Sequence, residues 1–94
     1  MKYLILLTLL SISVFSQSHL NRGRQLHAES RYQNAIAEFD AAEIAHPKDA
    51  EVFYQRGLVW LKLNDKGLAR RDFRRAIKLD PQFTAARMML AAIQ

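Results

Sequence analysis

Cysteine is absent from the 94 residues of this sequence, and glycine and proline are scarce, at three and two residues. Without cysteine the chain can form neither a disulfide framework nor a thiolate metal site. Three glycines are too few for a phosphate-cradling loop, and no serine lies in a nucleophile-elbow pattern. The three histidines include no pair at the i, i+3 or i+4 spacing of a helical metal site. The sequence therefore predicts a protein that is not an enzyme and that binds no metal or other cofactor.

Long hydrophobic runs are also absent, apart from one short run near the amino terminus. After Lys2, the twelve residues from Leu4 to Phe15 include only three polar side chains. A helix of that length reaches about 18 Å, short of the roughly 30 Å hydrocarbon core of a membrane. One charge, a short apolar run and then small residues are typical of a secretory signal peptide. We expect residues 1–16 to be that peptide and the protein to be secreted or periplasmic.

The cleavage site that this interpretation predicts lies before Gln17, with a second candidate before His19. Two alternatives stay open for the same run. One is a buried first helix, although no periodicity separates two faces of it. The other is an uncleaved segment that anchors the protein to a membrane.

Beyond this run, apolar residues follow the period of an amphipathic helix. Phe53, Gly57 and Trp60 fall at i, i+4 and i+7, and a second helical run ends before Pro81. The break between the two runs is Asn64, which tolerates the left-handed conformation of a turn. This stretch therefore predicts a helical hairpin.

Asp49 and Asp65 are expected to cap the two helices of that hairpin at their amino ends. Gly57, inside the first of them, costs about 1 kcal/mol relative to alanine. We expect a close backbone crossing by the neighbouring helix, which a Cβ would block, to compensate for that cost.

The same pattern occurs twice, at a constant offset along the chain. The repeated pairs are Gly23 and Gly57, Ala35 and Ala69, Phe39 and Phe73, Ala42 and Ala76, and Pro47 and Pro81. A 34-residue helix-turn-helix period with these residue types in this order is the tetratricopeptide signature. The chain thus resembles a tetratricopeptide-repeat (TPR) protein.

The resemblance implies an all-α fold: two helical hairpins and a carboxy-terminal capping helix, stacked as a short right-handed α-solenoid. The segments would be residues 1–16 for the signal peptide, 17–49 and 50–83 for the repeats, and 84–94 for the capping helix. It also implies a non-catalytic scaffold or adaptor that binds a protein or peptide on the concave face of its first helices.

Five residues are candidates for that concave face, because the offset between repeats puts equivalent positions side by side. They are Arg24, Tyr54, Leu58, Leu61 and Lys62. A mixed aromatic, aliphatic and cationic lining suits a peptide with acidic residues, and Tyr54 would be its anchor. In the alternative interpretation the groove is too shallow and these side chains only cover the core.

Positive charge is concentrated in the second repeat. Residues 50–83 carry eight Lys and Arg against four Asp and Glu, whereas residues 16–49 carry four against five. At 100° per residue, five cations lie within an arc of about 140°. They are Arg70, Arg71, Arg74, Arg75 and Lys78. This basic surface is either a solvated outer face or a binder of anionic surfaces, including membrane headgroups. No aromatic residue lies between the arginines to stack on bases, so no nucleic-acid partner is expected.

The last segment, residues 84–94, has more apolar surface than one contact can bury. Arg87 is its one charged residue, and its large apolar residues are Met88, Met89, Leu90 and Ile93. Such a face usually marks an interface. A structural module that self-associates through residues 84–94 is therefore the alternative to the peptide-binding scaffold.

Overall fold

The computed structural model describes residues 18–94, which fold into five helices with no strand. The helices are α1 (18–28), α2 (Tyr32–Ala45), α3 (Ala50–Lys62), α4 (Lys66–Leu79) and α5 (Thr84–Ile93). Contacts join α2 to α3, α3 to α4 and α4 to α5. The predicted all-helical class is confirmed, while the predicted signal peptide lies outside the described residues. None of the helices in residues 18–94 is long and apolar enough to cross a membrane.

The turn inside each hairpin uses the left-handed backbone conformation at the same place in the repeat. Ser30 ends the first hairpin's turn with φ of 61°, and Asn64, at the equivalent position of the second hairpin, has φ of 60°. Asp49 caps α3 by accepting from the backbone N–H of Glu51 at 3.0 Å, and Asp65 caps α4 through Leu68 at 3.0 Å. These predictions for Asn64, Asp49 and Asp65 are confirmed.

One glycine in each hairpin allows its two helices to approach closely. A Cβ built on Gly23 would lie 2.4 Å from the Phe39 ring, and one on Gly57 would lie 2.6 Å from the Phe73 ring. No side chain is accommodated at such distances without a shift, which explains why glycine is present inside a helix at both sites. The expected contact at Gly57 is therefore wrong in one detail: an aromatic ring occupies the space, rather than the neighbouring backbone.

The core lies between the helices in two clusters. The first joins α1, α2 and α3; its buried members are Leu20, Ala35, Ile36, Phe39, Ala42, Val52 and Val59. The second joins α3, α4 and α5 through Phe53, Ala76 and Ala86, with Tyr54 and Phe83 packed against it. Because α3 contributes to both clusters, it positions the residues on either side of it.

Candidate functional site

The inner face that the sequence predicts is formed by α1 and α3. Arg24 and Lys62 are exposed there, while Leu58 and Leu61 are half-buried. Leu20, on α1, is buried in the core at 8 % exposure and contributes nothing to this face.

An ion pair joins the two helices at one end of this face. Arg24 donates from Nη2 to Oε1 of Glu51 at 2.8 Å, and Gln55 Nε2 donates to the same oxygen at 2.8 Å. Both charged side chains keep substantial exposure, 44 % and 32 %. Because exposed pairs contribute little stability, Arg24 can exchange Glu51 for another carboxylate at small cost.

Lys62 acts on His27 at the other end of the face. Partial burial lowers the pKa of His27 below its ordinary value, and the positive charge of Lys62 lowers that pKa further. The imidazole also stands edge-on to the Tyr32 ring, with centroids 5.9 Å apart. His27 is therefore biased towards its neutral form, in which it offers one hydrogen-bond donor and one acceptor.

Tyr54, the predicted anchor, is placed differently from the rest of the candidate residues. Its ring packs against Phe83, with centroids 4.9 Å apart, and against Phe73 at 5.9 Å. The side chain is half-buried, and no described residue is hydrogen-bonded to its hydroxyl. Tyr54 thus packs α3 against the start of α5. Its truncation to alanine would weaken this packing as well as the binding of any peptide.

The five predicted cations of the basic surface lie on α4. Arg70 is half-buried and donates to the carbonyl of Ile93 at 3.5 Å, while the other four are exposed. Arg75 also lies over the Phe53 ring, 5.7 Å from its centroid. Within residues 18–94, no carboxylate lies within ion-pair distance of Arg70, Arg71, Arg74, Arg75 or Lys78.

A buried charge cluster around Arg56 was not predicted from the sequence. Arg56 donates from Nε and Nη2 to the two carboxylate oxygens of Asp72, at 2.8 and 2.9 Å. Its Nη1 reaches across to α2 and bonds Asp40 at 2.9 Å and Glu43 at 2.6 Å. Trp60 Nε1 completes the set by donating to Asp72 at 3.0 Å. One guanidinium therefore joins three helices.

The electrostatics of this cluster keep Arg56 charged. Burial by itself would lower the pKa of Arg56, but hydrogen bonds and charge attraction from Asp72 and Glu43 outweigh it and raise that pKa. Both partners of the central pair are almost completely buried, with side-chain exposures of 6 % for Arg56 and 2 % for Asp72. The cluster is a structural junction between hairpins, since all its described donors already have partners.

A signal for this cluster was present in the repeat. Arg56 and Asp72 correspond, one repeat upstream, to Arg22 and Glu38, so the same spacing of a basic and an acidic residue occurs in both copies. Apolar periodicity alone does not indicate such a pair, because it assigns both charged residues to the exposed surface.

An outer groove lies between α2 and α4, on the side away from the inner face. Its volume is about 490 Å³, and it is lined by Asp40, Glu43, Phe53, Arg56, Arg71, Asp72 and Arg75. Its lining includes three carboxylates and three guanidiniums, so the formal charges balance. In the described part of the chain, no group of three or more His, Asp or Glu side chains could hold a metal ion.

Helix α5 leaves part of its apolar surface open. Met88 is 67 % exposed, whereas Met89, Leu90 and Ile93 are half-buried. The methionine that faces outward most is therefore Met88. Two shallow cavities, of about 360 and 320 Å³, lie along this helix and share Arg87 and Ala91.

Comparison with known proteins adds a family match and a set of relatives. Residues 50–83 match a family model described as tetratricopeptide repeat. The chain is 33 % identical over 72 residues to the rat (Rattus norvegicus) DnaJ homolog subfamily C member 3, covering 77 % of this chain and 14 % of that protein. It is 30 % identical over 73 residues to the Hsp70-Hsp90 organizing protein of Triticum aestivum, covering 78 % and 13 %. The chain thus spans about a seventh of the length of these relatives.

Proposed function

The chain belongs to the tetratricopeptide-repeat family, and on that premise we propose that it is a non-catalytic scaffold which binds an acidic peptide segment on its inner face. The observation that supports this proposal concerns the two ends of α3. Exposed Arg24 pairs with Glu51 in its first turn, exposed Lys62 is its last residue, and the half-buried Leu58 and Leu61 lie between them in sequence. Apolar contact in the middle and positive charge at both ends fit a peptide with an apolar residue between acidic ones.

Binding in this arrangement is an exchange of partners. A ligand carboxylate at Arg24 competes with Glu51, which retains its hydrogen bond from Gln55. A second carboxylate near Lys62 offsets the charge that disfavours protonation of His27. The cations therefore steer the ligand and set the salt dependence, whereas Leu58 and Leu61 supply the apolar contact.

The names of the relatives supply the first partners to test. One is named an Hsp70-Hsp90 organizing protein, so Hsp70 and Hsp90 are the first ligands to test. Because the chain covers only about a seventh of either relative, the proposal defines its partner by chemistry: an apolar side chain flanked by carboxylates.

A photo-crosslinking amino acid at position 58 tests the face directly, with position 74 on the outer face as the matched control. We expect the partner to crosslink from position 58 alone. Purified ligand should then bind Lys62→Glu and Arg24→Glu about tenfold more weakly at low salt, about 1.4 kcal/mol each. Lys78→Glu, which makes the same charge change on α4, should leave the affinity unchanged.

The basic surface of α4 supports a second candidate function, contact with an anionic membrane surface. Its supporting observation is that Arg71, Arg74, Arg75 and Lys78 are exposed and have no carboxylate within ion-pair distance in residues 18–94. Cosedimentation with phosphatidylserine vesicles should then be lost in Arg71→Glu/Arg74→Glu and kept in Arg24→Glu/Lys62→Glu. The opposite result, or no sedimentation of the unmodified chain, excludes this function.

We also propose that the protein is exported, which residues 1–16 support by their charge and short apolar run. The intact mass of the protein from its native host tests this. A mature chain starting at Gln17 or His19 is expected, and a species that retains Met1 to Phe15 contradicts cleavage.

A further inference from the structure

The α2 side of the outer groove carries an excess of negative charge. Arg56 and Asp72 bind each other through two hydrogen bonds, so their charges cancel within the pair. Asp40 and Glu43 each give one carboxylate oxygen to Arg56 and keep a second oxygen that has no partner in residues 18–94. Both side chains are accessible, at 57 % and 41 % exposure. The α2 side therefore contributes two negative charges that the groove does not neutralise.

The α4 side of the groove carries matching positive charge. Arg71 and Arg75 line the cavity, are exposed, and have no carboxylate within ion-pair distance in the described part of the chain. They are four residues apart, so both project from the same face of α4. The Arg75 guanidinium also lies 5.7 Å from the centroid of the Phe53 ring, which lines the same cavity. Opposite charges on α2 and α4 thus line one cavity of about 490 Å³ and form no ion pair across it.

The repeat pattern does not account for these four charges, because each differs in type from its equivalent 34 residues away. The pairs are Arg71 and Ala37, Arg75 and Ala41, Asp40 and Arg74, and Glu43 and Ile77. The two carboxylates have a structural role through Arg56. The two arginines have no carboxylate partner in residues 18–94, and the first hairpin folds with alanine at both places.

We propose that the outer groove binds a segment of a partner protein that carries a basic and an acidic side chain close together. The acid binds Arg71 and Arg75, and the base binds the second oxygens of Asp40 and Glu43. An anion alone is attracted by the arginines and repelled by the carboxylates of the same cavity, and a cation alone meets the reverse. A segment with both charges is attracted on both sides, so charge complementarity selects it.

Binding in the outer groove breaks no ion pair that the structure contains. Arg56 keeps its hydrogen bonds to both carboxylates of α2, because the ligand uses the other oxygen of each. An extended segment presents the two charges most simply, since residues i and i+2 project to the same side, about 7 Å apart along the chain. The site is separate from the inner face, which α1 and α3 form.

The probe is therefore a capped pentapeptide, Gly-Lys-Ala-Glu-Gly. Two control peptides each lack one charge, with glutamine in place of either the glutamate or the lysine. Trp60 is the single tryptophan of the sequence, and its Nε1 donates to Asp72 of the groove. The indole N–H resonance of the isotope-labelled full chain thus reports binding at this place, and its titration gives the dissociation constants.

We expect the pentapeptide with both charges to bind with a Kd of about 1 mM, and each control peptide to bind at least about threefold more weakly. Arg71→Gln/Arg75→Gln should weaken binding of the doubly charged peptide by at least the same factor, and should not weaken binding of the peptide that lacks the acid. Asp40→Asn should likewise affect only peptides that carry the base.

Two matched variants separate this groove from the other proposed surfaces. Arg74→Gln/Lys78→Gln makes the same charge change on exposed residues of α4 that do not line the groove, and it should leave the Kd unchanged. Arg24→Gln/Lys62→Gln, on the inner face, should also leave it unchanged. Thermal melts of all variants check that the fold is kept.

Four results overturn the proposal. They are no shift of the Trp60 resonance up to about 10 mM peptide, equal binding of the three peptides, tighter binding of a singly charged peptide, and an equal loss of affinity in either matched variant. A further outcome assigns the groove to another occupant. If the chain alone forms a dimer in sedimentation equilibrium, and Arg71→Gln/Arg75→Gln abolishes it, a second copy occupies the groove and the partner segment is excluded.

Discussion

The two hairpins carry the same pair of opposite charges at the same register, but they use it differently. In the second hairpin Arg56 is 6 % exposed and binds both oxygens of Asp72. In the first hairpin Arg22 is 60 % exposed and lies 3.9 Å from Glu38, whose other oxygen is 2.5 Å from His19. Identical spacing thus produces a buried junction in one repeat and a loose surface pair in the other.

The cause of the difference lies outside each repeat. Helix α2 packs against α3 and contributes Asp40 and Glu43 to Arg56, whereas no helix precedes α1 in the described residues. A buried ion pair is favourable only when further hydrogen bonds satisfy its charges. The burial of Arg56 is therefore a property of the stack of hairpins, and the 34-residue unit alone does not determine it.

The largest difference between the hairpins is expected when the equivalent arginines are truncated. Arg56→Ala leaves Asp72 buried without its partner and should cost about 3–5 kcal/mol, a large part of the stability of a small domain. Arg22→Ala should cost less than about 1 kcal/mol, because its pair is exposed. Urea unfolding of both variants measures the difference, and equal costs would contradict the comparison.

A double variant shows whether that cost reflects the unpaired charge. Arg56→Met/Asp72→Leu removes both charges and keeps apolar volume, so we expect it to be more stable than Arg56→Ala. Equal stability of the two would mean that lost packing, rather than an uncompensated carboxylate, explains the effect.

The glycines are expected to behave alike in the two hairpins, in contrast to the charges. Gly23→Ala and Gly57→Ala each place a Cβ against a phenylalanine ring, and each should destabilise the protein by about 1–2 kcal/mol after the gain in helix propensity. Thermal melts test this, with Gly67→Ala as the control, since its Cβ would meet only Asp65 at 3.6 Å. A cost in one hairpin alone would mean that the two crossings differ.

A smaller effect is expected from the part of the cluster that crosses between hairpins. Asp40→Asn/Glu43→Gln leaves the Arg56–Asp72 pair in place and removes two half-exposed carboxylates, whose side chains are 57 % and 41 % exposed. We expect a loss of about 1 kcal/mol, and a smaller loss at high salt. A loss as large as that of Arg56→Ala would mean that Arg56 stabilises the protein mainly through Asp40 and Glu43 of the preceding hairpin, rather than through Asp72 of its own.

The smallest effect is expected at the inner face, where α1 and α3 meet. Lys62→Met removes a positive charge near His27 and should raise the pKa of His27 towards its ordinary value, with burial still holding it below. As pH falls below about 6.5, His27 binds a proton in the unfolded chain before it does so in the folded protein, and the free energy of unfolding therefore decreases. The decrease is smaller in the variant, because the two pKa values of His27 are closer together. NMR titration of the His27 ring measures the shift, and Lys78→Met should leave it unchanged.

Most of what the sequence predicted about the fold came from the 34-residue repeat. Residues such as Gly57, Phe73 and Ala76 identify the hairpin because their size requirements recur at the repeat period, and Asp65 and Asn64 follow from local backbone chemistry. The Arg56 cluster could not be found this way, since hydrogen bonds between helices depend on packing that apolar periodicity does not describe.

The candidate site was predictable only in part. Spacing placed Arg24, Leu58 and Lys62 on the first helices of the hairpins, and the structure leaves them accessible there. The placement of Tyr54 under Phe83 could not be predicted, because Phe83 lies in the connection before α5, where no periodic pattern specifies the direction of a side chain.

The glycine–phenylalanine contacts also provide a spectroscopic signal for each hairpin. The distances from an added Cβ to three ring atoms of Phe39, at 2.4, 2.7 and 2.7 Å, describe a point over the face of the ring, and those at Phe73 are similar. The glycine Hα in that direction lies in the shielding zone of the ring current, so its proton resonance moves upfield. Gly23 and Gly57 thus report the folding of the two hairpins separately, without any label in the protein.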